Sequence, residues 1–224
     1  MWADRATPDG RRQRRREQTI VEILDAAVQA MADDGVAGMS LSDVARRVGM
    51  RPPSLYEYFP SKLAIYDAVF RAGFEEMNVF VRQAVSDPEA DPLAALRQGY
   101  PAAVRWCVEH PVQAQLMFWR PVPGFDPSPA SFEPSVDQMN DFRTVVGWAV
   151  QRGQLRPEAI TNDAGQLYAV VFSGVITEQL ANDPNGGFSD GQYSRLAAEA
   201  LEMWISRYSP TRKPGQARQK SSNE

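Results

Sequence analysis

The reading of this chain turns on residues 40–62: Ser40-Leu41-Ser42-Asp43-Val44-Ala45-Arg46-Arg47-Val48-Gly49-Met50-Arg51-Pro52-Pro53-Ser54-Leu55-Tyr56-Glu57-Tyr58-Phe59-Pro60-Ser61-Lys62. Ser40 and Asp43, three apart, predict a helix start, because each side chain can take a free backbone N–H. Leu41, Val44, Ala45 and Val48 recur at helical spacing and give that helix one apolar face. Gly49 predicts its end, since glycine takes the left-handed conformation that terminates helices. Pro52 or Pro53 suits the first turn of a second helix, where a missing N–H is harmless. Leu55 and Phe59 supply its inward face, Pro60 ends it, and Ser61 caps a third helix. Two short helices joined by a glycine turn form a helix-turn-helix, a unit that sets its second helix in the DNA major groove.

Working outward, residues 17–34 read as a helix with Ile20, Ile23, Leu24, Ala27, Val28 and Met31 on one stripe, stopped by Gly35. After Ser61 the apolar positions stay in phase from Ile65 to Ala84. They predict a helix of ~36 Å that leaves the first domain and enters the next. Further helices are predicted over 91–109, with Pro101 inside, and over 112–119. The stretch 120–134 carries five prolines and is expected to be mostly non-helical. Helices follow over 135–152 and 158–182, and a last one to Tyr208 is expected to be capped by Ser189. No strand-length alternation occurs, so the chain reads as all-α. The expected organisation is an Arg-rich arm (1–16), a three-helix helix-turn-helix DNA-binding domain (17–70), a larger helical domain (71–208) and a polar tail (209–224).

Bulk properties narrow the function. The formal charge of −4 divides unevenly: residues 1–74 hold 11 Lys and Arg against 10 Asp and Glu, and residues 75–224 hold 13 against 18. Phosphate affinity must therefore come from local placement of basic groups rather than from net charge. Five arginines crowd positions 11–16. Such a run repels itself and is expected to be disordered when free, and it reads equally as an arm reaching phosphates or as a solvated tail. No apolar run approaches the ~20 residues of a membrane helix. The opening is polar, without the pattern of a secretory leader, and the single cysteine, Cys107, cannot pair internally. A reducing cytoplasm is the expectation. One His and one Cys are too few soft ligands for a zinc site, and neither metal nor cofactor is expected. No phosphate loop, nucleophile elbow or dinucleotide turn is present, so the chain is not expected to be an enzyme. His110, between Glu109 and Pro111, reads as a helix-end residue rather than a general base.

Asp43-Val44-Ala45, Gly49, Leu55-Tyr56, Phe59 and Ser61-Lys62 together resemble the signature of the TetR family of transcriptional regulators, over residues 17 to 70. The resemblance implies a dimeric regulator, most often a repressor, with a DNA-binding head and a helical domain that dimerises and encloses a small molecule. Carried over by position, it implies phosphate contacts from Ser40, Tyr56, Tyr58 and Lys62. It places Ser42 within reach of a base and sets Pro52, Pro53, Ser54 and Glu57 in the groove. The chain departs from the usual pattern at several of these positions. Arg51 stands where a capping Ser is common and can instead reach guanine O6 and N7. Paired prolines can only pack, for instance on a thymine methyl. Glu57 can accept from cytosine N4, and Tyr58 replaces a frequent His.

In the second domain, Tyr100, Trp106, Met117, Phe118, Trp119, Phe142 and Tyr168 are the candidates for lining a small-molecule site, since bulky aromatics with polar tips suit an apolar ligand. Each also reads as ordinary core. Helices within 158–208 are adjacent and apolar, and two such pairs can form a four-helix dimer interface. The expected partners are thus an operator in double-stranded DNA, a small-molecule effector and a second copy of the chain. A different class stays open: a TetR-like scaffold acting through a protein partner, with the aromatics serving as core.

Overall fold

The computed structural model describes residues 8–210, and every regular element among them is helical. In chain order these are α1 (Pro8–Asp34), α2 (Leu41–Arg47), α3 (Pro52–Leu55), α4 (Lys62–Ala84), α5 (Pro92–Glu109), α6 (Pro111–Trp119), α7 (Pro129–Gln151), α8 (Asn162–Asn182) and α9 (Ala197–Tyr208), with short 3-10 turns at Val36–Gly38, Pro157–Ile160 and Ser194–Leu196. The chain folds into two compact units, one of residues up to Phe80 with Trp106–Gln138, the other of Val81–Arg105 with residues from Met139 onward. Helices α4, α5 and α7 each contribute residues to both.

In the first unit Ile23, Ala27, Met31, Met39, Val44, Ala45, Leu55, Phe59 and Ile65 close a core beneath α2 and α3. Tyr66 locks the preceding 3-10 turn by donating its hydroxyl to the Val36 carbonyl at 2.6 Å, and burial raises its phenol to about 12. Further along α4, a Cβ at Gly73 would stand 2.6 Å from the Met117 sulfur, so glycine is what lets α6 pack this closely. Phe70 stacks on Phe132 and meets Phe74 and Phe125 edge-on or tilted.

Two expectations are corrected in this unit. Helix α1 begins nine residues before position 17, so Arg11–Arg16 are helical rather than a disordered arm. Gln13 donates to Glu17 one turn on, and the Arg16 guanidinium lies 5.0 Å from the centre of the Tyr58 ring, tertiary support that a charge count cannot show. The remainder of the arm, residues 1–7, and the tail beyond 210 lie outside the described residues. Helix α7 begins at Pro129, inside the stretch expected to be non-helical. Pro129 occupies the first turn, where no N–H is needed. Pro134 removes the donor that would have served the Ala130 carbonyl, and Arg71 of α4 supplies a replacement at 2.9 Å. Asn78 binds the Pro134 carbonyl at 2.8 Å. The start of α7 is also tied to α4 by the Asp67 carboxylate. It accepts from the Ser128 N–H at 2.7 Å and from the Ser128 and Ser131 hydroxyls at 2.9 and 2.8 Å.

The second unit centres on α8 and α9. Trp204 is buried and donates its indole N–H to the Ala164 carbonyl at 2.9 Å. Gly153, at φ 67°, follows the end of α7. Ser189 does not cap the last helix, which starts only at Ala197. The reason is Gln179 of α8, wholly buried, whose side-chain oxygen accepts the Tyr193 and Ser194 N–H groups at 3.1 and 2.9 Å. Its amide nitrogen donates to the Asp183 carbonyl at 2.5 Å, so one side chain organises the loop between the two helices.

Candidate nucleic-acid interface

The turn between α2 and α3 is built from backbone bonds that only one geometry allows. Gly49 has φ 68°, its N–H donates to the Arg46 carbonyl at 3.2 Å, and the Met50 N–H donates to the Ala45 carbonyl at 2.8 Å. This pair of bonds is the Schellman termination, and a side chain at Gly49 would be strained in it. Ser40 caps α2 by accepting the Asp43 N–H at 3.1 Å. The expected reciprocal bond from Asp43 is absent, because its carboxylate is taken up by Arg47 at 2.6 Å and by Arg46. Arg47 also reaches Asp33 at 2.7 Å. Arg47 first, then Arg46, hold the Asp43 carboxyl below its usual range. Both arginines are therefore committed to ion pairs, Arg46 within α2 and Arg47 both within α2 and across to Asp33 of α1.

Arg51 precedes α3 without a side-chain cap. The paired prolines explain why none is needed: Pro52 and Pro53 have no N–H, and the first real donor, that of Ser54, bonds the Arg51 carbonyl at 2.9 Å. The Arg51 side chain is thereby left exposed with Pro52, Pro53 and Ser54. Leu55 and Phe59 are buried beneath them, while Tyr56 is 52% exposed and Glu57 is exposed. After Leu55 the chain continues in turns, with the Tyr58 and Phe59 N–H groups both bonded to the Leu55 carbonyl at 3.0 Å. Ser61 accepts the Ala64 N–H at 3.1 Å and so starts α4.

All the DNA-facing candidates thus lie on α2, on α3 and its flanks, or at the head of α4. Ser40, Ser42, Arg51, Pro52, Pro53, Ser54, Tyr56 and Glu57 are exposed, and Tyr58 and Lys62 are half-buried. Lys62 donates to the Ala37 carbonyl at 2.9 Å and sits 5.5 Å from the centre of the Tyr66 ring, so one of its three donors is already structural. Arg16 joins the group: it reaches the Glu57 carbonyl at 3.4 Å as well as the Tyr58 ring. Its place in an arginine run was the only sequence signal. Its seat against the turns after α3 is a tertiary fact.

The small-molecule candidates separate. In the second unit Tyr100, Phe142 and Tyr168 meet: Phe142 stacks on Tyr168 at 3.9 Å and Tyr100 meets Tyr168 edge-on at 5.5 Å. Phe172 and Trp204 complete this cluster, at 5.5 Å from Tyr100 and Phe142 respectively. Neither was among the small-molecule candidates named from the sequence. The Tyr100 hydroxyl is buried with no hydrogen-bond partner among the described residues. Trp106, Met117, Phe118 and Trp119 belong to the first unit. There Trp106 stacks on His110 at 4.5 Å, Phe118 meets Phe74 at 5.8 Å, Met117 lies against Gly73, and Trp119 is 37% exposed. No cluster of three or more His, Cys, Asp or Glu with metal-binding spacing occurs among the described residues. No helix among them is long and apolar enough to cross a membrane.

Comparison with known proteins places this geometry. Residues 23–69, the segment from mid-α1 into α4, match the family profile of bacterial regulatory proteins, tetR family. The chain is 30% identical over 121 residues to the HTH-type transcriptional regulator Rv1816 of Mycobacterium tuberculosis, covering 54% of this chain and 52% of that protein. It is 31% identical over 74 residues to IcaR of Staphylococcus aureus, a negative regulator of the biofilm operon, covering 32% of this chain and 40% of that one. The chain therefore spans about half the length, or less, of these curated relatives. Among solved structures, the TetR family regulator PfmR of Thermus thermophilus superposes with a TM-score of 0.62 at 20% identity, covering 83% of this chain and 97% of that one. FadR of Bacillus subtilis, solved in complex with stearoyl-CoA, gives 0.67 at 18% identity with the same coverage. At such identities the superpositions establish the fold.

Proposed function

Because this chain belongs to the TetR family of bacterial regulatory proteins, we propose that it is a dimeric, sequence-specific DNA-binding repressor, released from a pseudo-palindromic operator by a small apolar or amphipathic molecule. The observation that carries the reading is the split across α3 and its flanks: Leu55 and, in the turns that follow, Phe59 point inward while Arg51, Pro52, Pro53, Ser54, Tyr56 and Glu57 stand outward. A short helical segment with buried anchors and an exposed face of base-reading and phosphate-binding groups is what major-groove recognition needs. Arg51 reads guanine, and Ser40, Tyr56, Tyr58 and Lys62 set the register on phosphates.

Dimerisation through residues 158–208 is supported by apolar side chains that α8, α9 and the turn before α9 leave outside. Val170 is 66% exposed, Met203 72% and Leu196 40%. Twofold pairing sets the two recognition helices ~34–36 Å apart, one turn of DNA. The aromatic cluster around Tyr100 and Tyr168, where the Tyr100 hydroxyl has no partner among the described residues, supports an effector with a ring or chain and a hydrogen-bonding atom. The acyl thioester held by FadR is a ligand of that amphipathic kind. The effector acts by favouring one position of α4 over another, and it can shift DNA affinity by no more than its own differential affinity for the two.

The test is fluorescence-anisotropy binding to duplexes from upstream of the chain's own gene and its neighbour, across salt and against scrambled competitor. Tight, competitor-resistant binding with a steep salt slope is expected. Binding that scrambled DNA removes equally would count against sequence-specific regulation and favour a scaffold acting through a protein partner.

A further inference from the structure

We infer that the amino-terminal extension of α1 is a second DNA contact: a helical basic ridge, with Arg12 and Arg16 as its working residues, that takes up phosphates flanking each operator half-site. The inference rests on the reading above that the α2–α3 face binds DNA, and it adds residues and a footprint that reading does not contain.

Three observations converge. First, Arg11–Arg16 are helical, so their side chains have fixed directions rather than those of a coil. Second, the direction can be worked out from the helix core. Ile23 and Ala27 are wholly buried, and they stand seven and eleven positions after Arg16. At 3.6 residues per turn, both lie within about 20° of Arg16 around the axis, and Arg12 lies about 40° away on the same side. The face of α1 that packs on the helix-turn-helix therefore continues past the bundle as Arg16 and then Arg12, ~6 Å further along. Third, the Arg16 guanidinium is seated on the end of the recognition segment, 3.4 Å from the Glu57 carbonyl and over the Tyr58 ring. Tyr58 is itself a phosphate-clamp candidate, so the ridge begins where the recognition surface ends and carries positive charge outward from it.

Phosphate is the chemistry this ridge fits. Guanidinium binds phosphate oxygens bidentately, and an arginine stacked on a tyrosine keeps the outward edge of its fork available. The contact reads no bases; it adds affinity and lengthens the footprint. Arg14 supplies an internal control. It lies about 160° around the helix from Arg16, on the side where Val21, Glu22 and Asp25 are exposed.

The experiment measures anisotropy of a fluorescein-labelled duplex from the promoter of the chain's own gene, titrated across salt, with the full chain and with Arg12→Ala, Arg16→Lys and Arg14→Ala. Alanine keeps helix propensity, so Arg12→Ala leaves α1 formed. Each phosphate contact contributes ~0.9 to the slope of log affinity against log salt. Arg12→Ala, lost twice in a dimer, is expected to flatten the slope by ~1.8, which shrinks the affinity change between 50 and 200 mM salt by roughly tenfold. Arg14→Ala is expected to leave the slope unaltered. On a duplex trimmed to the operator itself, the full chain and Arg12→Ala are expected to bind alike, and Arg16→Lys to show a smaller loss than Arg12→Ala on the long one. An unchanged slope for Arg12→Ala alongside specific binding by the full chain would overturn this inference alone. Equal losses for Arg14→Ala, or a loss that persists on the trimmed duplex, would also overturn it. No specific binding by the full chain would overturn the regulator reading and this inference with it.

Discussion

Replacing Gln179 by leucine tests whether one buried amide orders the end of the molecule that we assign to dimerisation. Leucine approximates the volume, so packing is nearly kept and the change isolates hydrogen bonds. Two backbone donors, those of Tyr193 and Ser194, lose their acceptor, and the Asp183 and Gly186 carbonyls lose a donor. Ser194 is wholly buried and cannot turn to water, whereas Tyr193 is half-buried and can do so in part. A stranded buried group costs about 1–3 kcal/mol. One full penalty and two partial ones, less about 1 kcal/mol for burying the more apolar side chain, leave a destabilisation of about 3 kcal/mol. For a chain of this size that lowers the melting temperature by roughly 10 °C. Urea unfolding followed through tryptophan fluorescence is a suitable assay, since Trp204 is buried on α9. A sedimentation measurement of oligomeric state should show a weaker dimer in the same variant. A loss below about 1 kcal/mol, with an unchanged urea slope, would refute the assignment and mean that the loop finds other partners.

Other outcomes follow from single contacts. Tyr100→Phe removes a buried hydroxyl that has no partner among the described residues, and should raise the urea midpoint by the equivalent of about 1 kcal/mol; a comparable fall would mean the hydroxyl is satisfied in solution. Asp43 is held below its ordinary carboxyl range by Arg47 and then Arg46. A depressed folded-state value contributes stability that is whole above the unfolded-state value and drains away as pH falls through the folded one. Carboxyl NMR of Asp43 should therefore give a midpoint below that of aspartate in a short peptide, and Asp43→Asn should remove that part of the acid sensitivity. Arg51→Ala should relax sequence preference by about 1–3 kcal/mol at one base pair, read by competition among operator variants, while Tyr56→Ala should weaken all duplexes alike. Unchanged preference in Arg51→Ala would sink its base-reading role. Lys62→Ala should lower thermal stability as well as DNA affinity, because its ammonium also holds the Ala37 carbonyl.

What could be read from sequence was local. The Ser40 half of the α2 cap, the Gly49 turn, the proline start of α3 and the Ser61 cap each depend on residues within four positions of one another, and each formed as expected. The misreadings share a cause: the deciding partner lies far away in the chain. Ser189 fails as a cap because Gln179, on the preceding helix, takes the N–H groups at 193 and 194. The proline count hid the start of α7 because Arg71 answers the carbonyl that Pro134 leaves open. The arginine run is helical, and its last member rests on Tyr58, forty-two positions on. The aromatic candidates divided because residue type marks a side chain as bulky without saying which neighbours it meets. Tyr100, Phe142 and Tyr168 found one another, and Trp106 found His110.

Pro134 has a mechanical consequence. A helix that completes all its own bonds can slide against a neighbour at the expense of side-chain packing alone. Helix α7 lacks that freedom at its start, because its Ala130 bond is completed by Arg71, while Asp67 and Asn78 grip the same segment from one turn before and two turns after. Moving α4 along its axis by a single residue, ~1.5 Å, would break all three attachments together. Small displacements of α4 are thus either transmitted whole to the first turns of α7 or blocked, so this pair of helices behaves as a ratchet tooth rather than as a bearing.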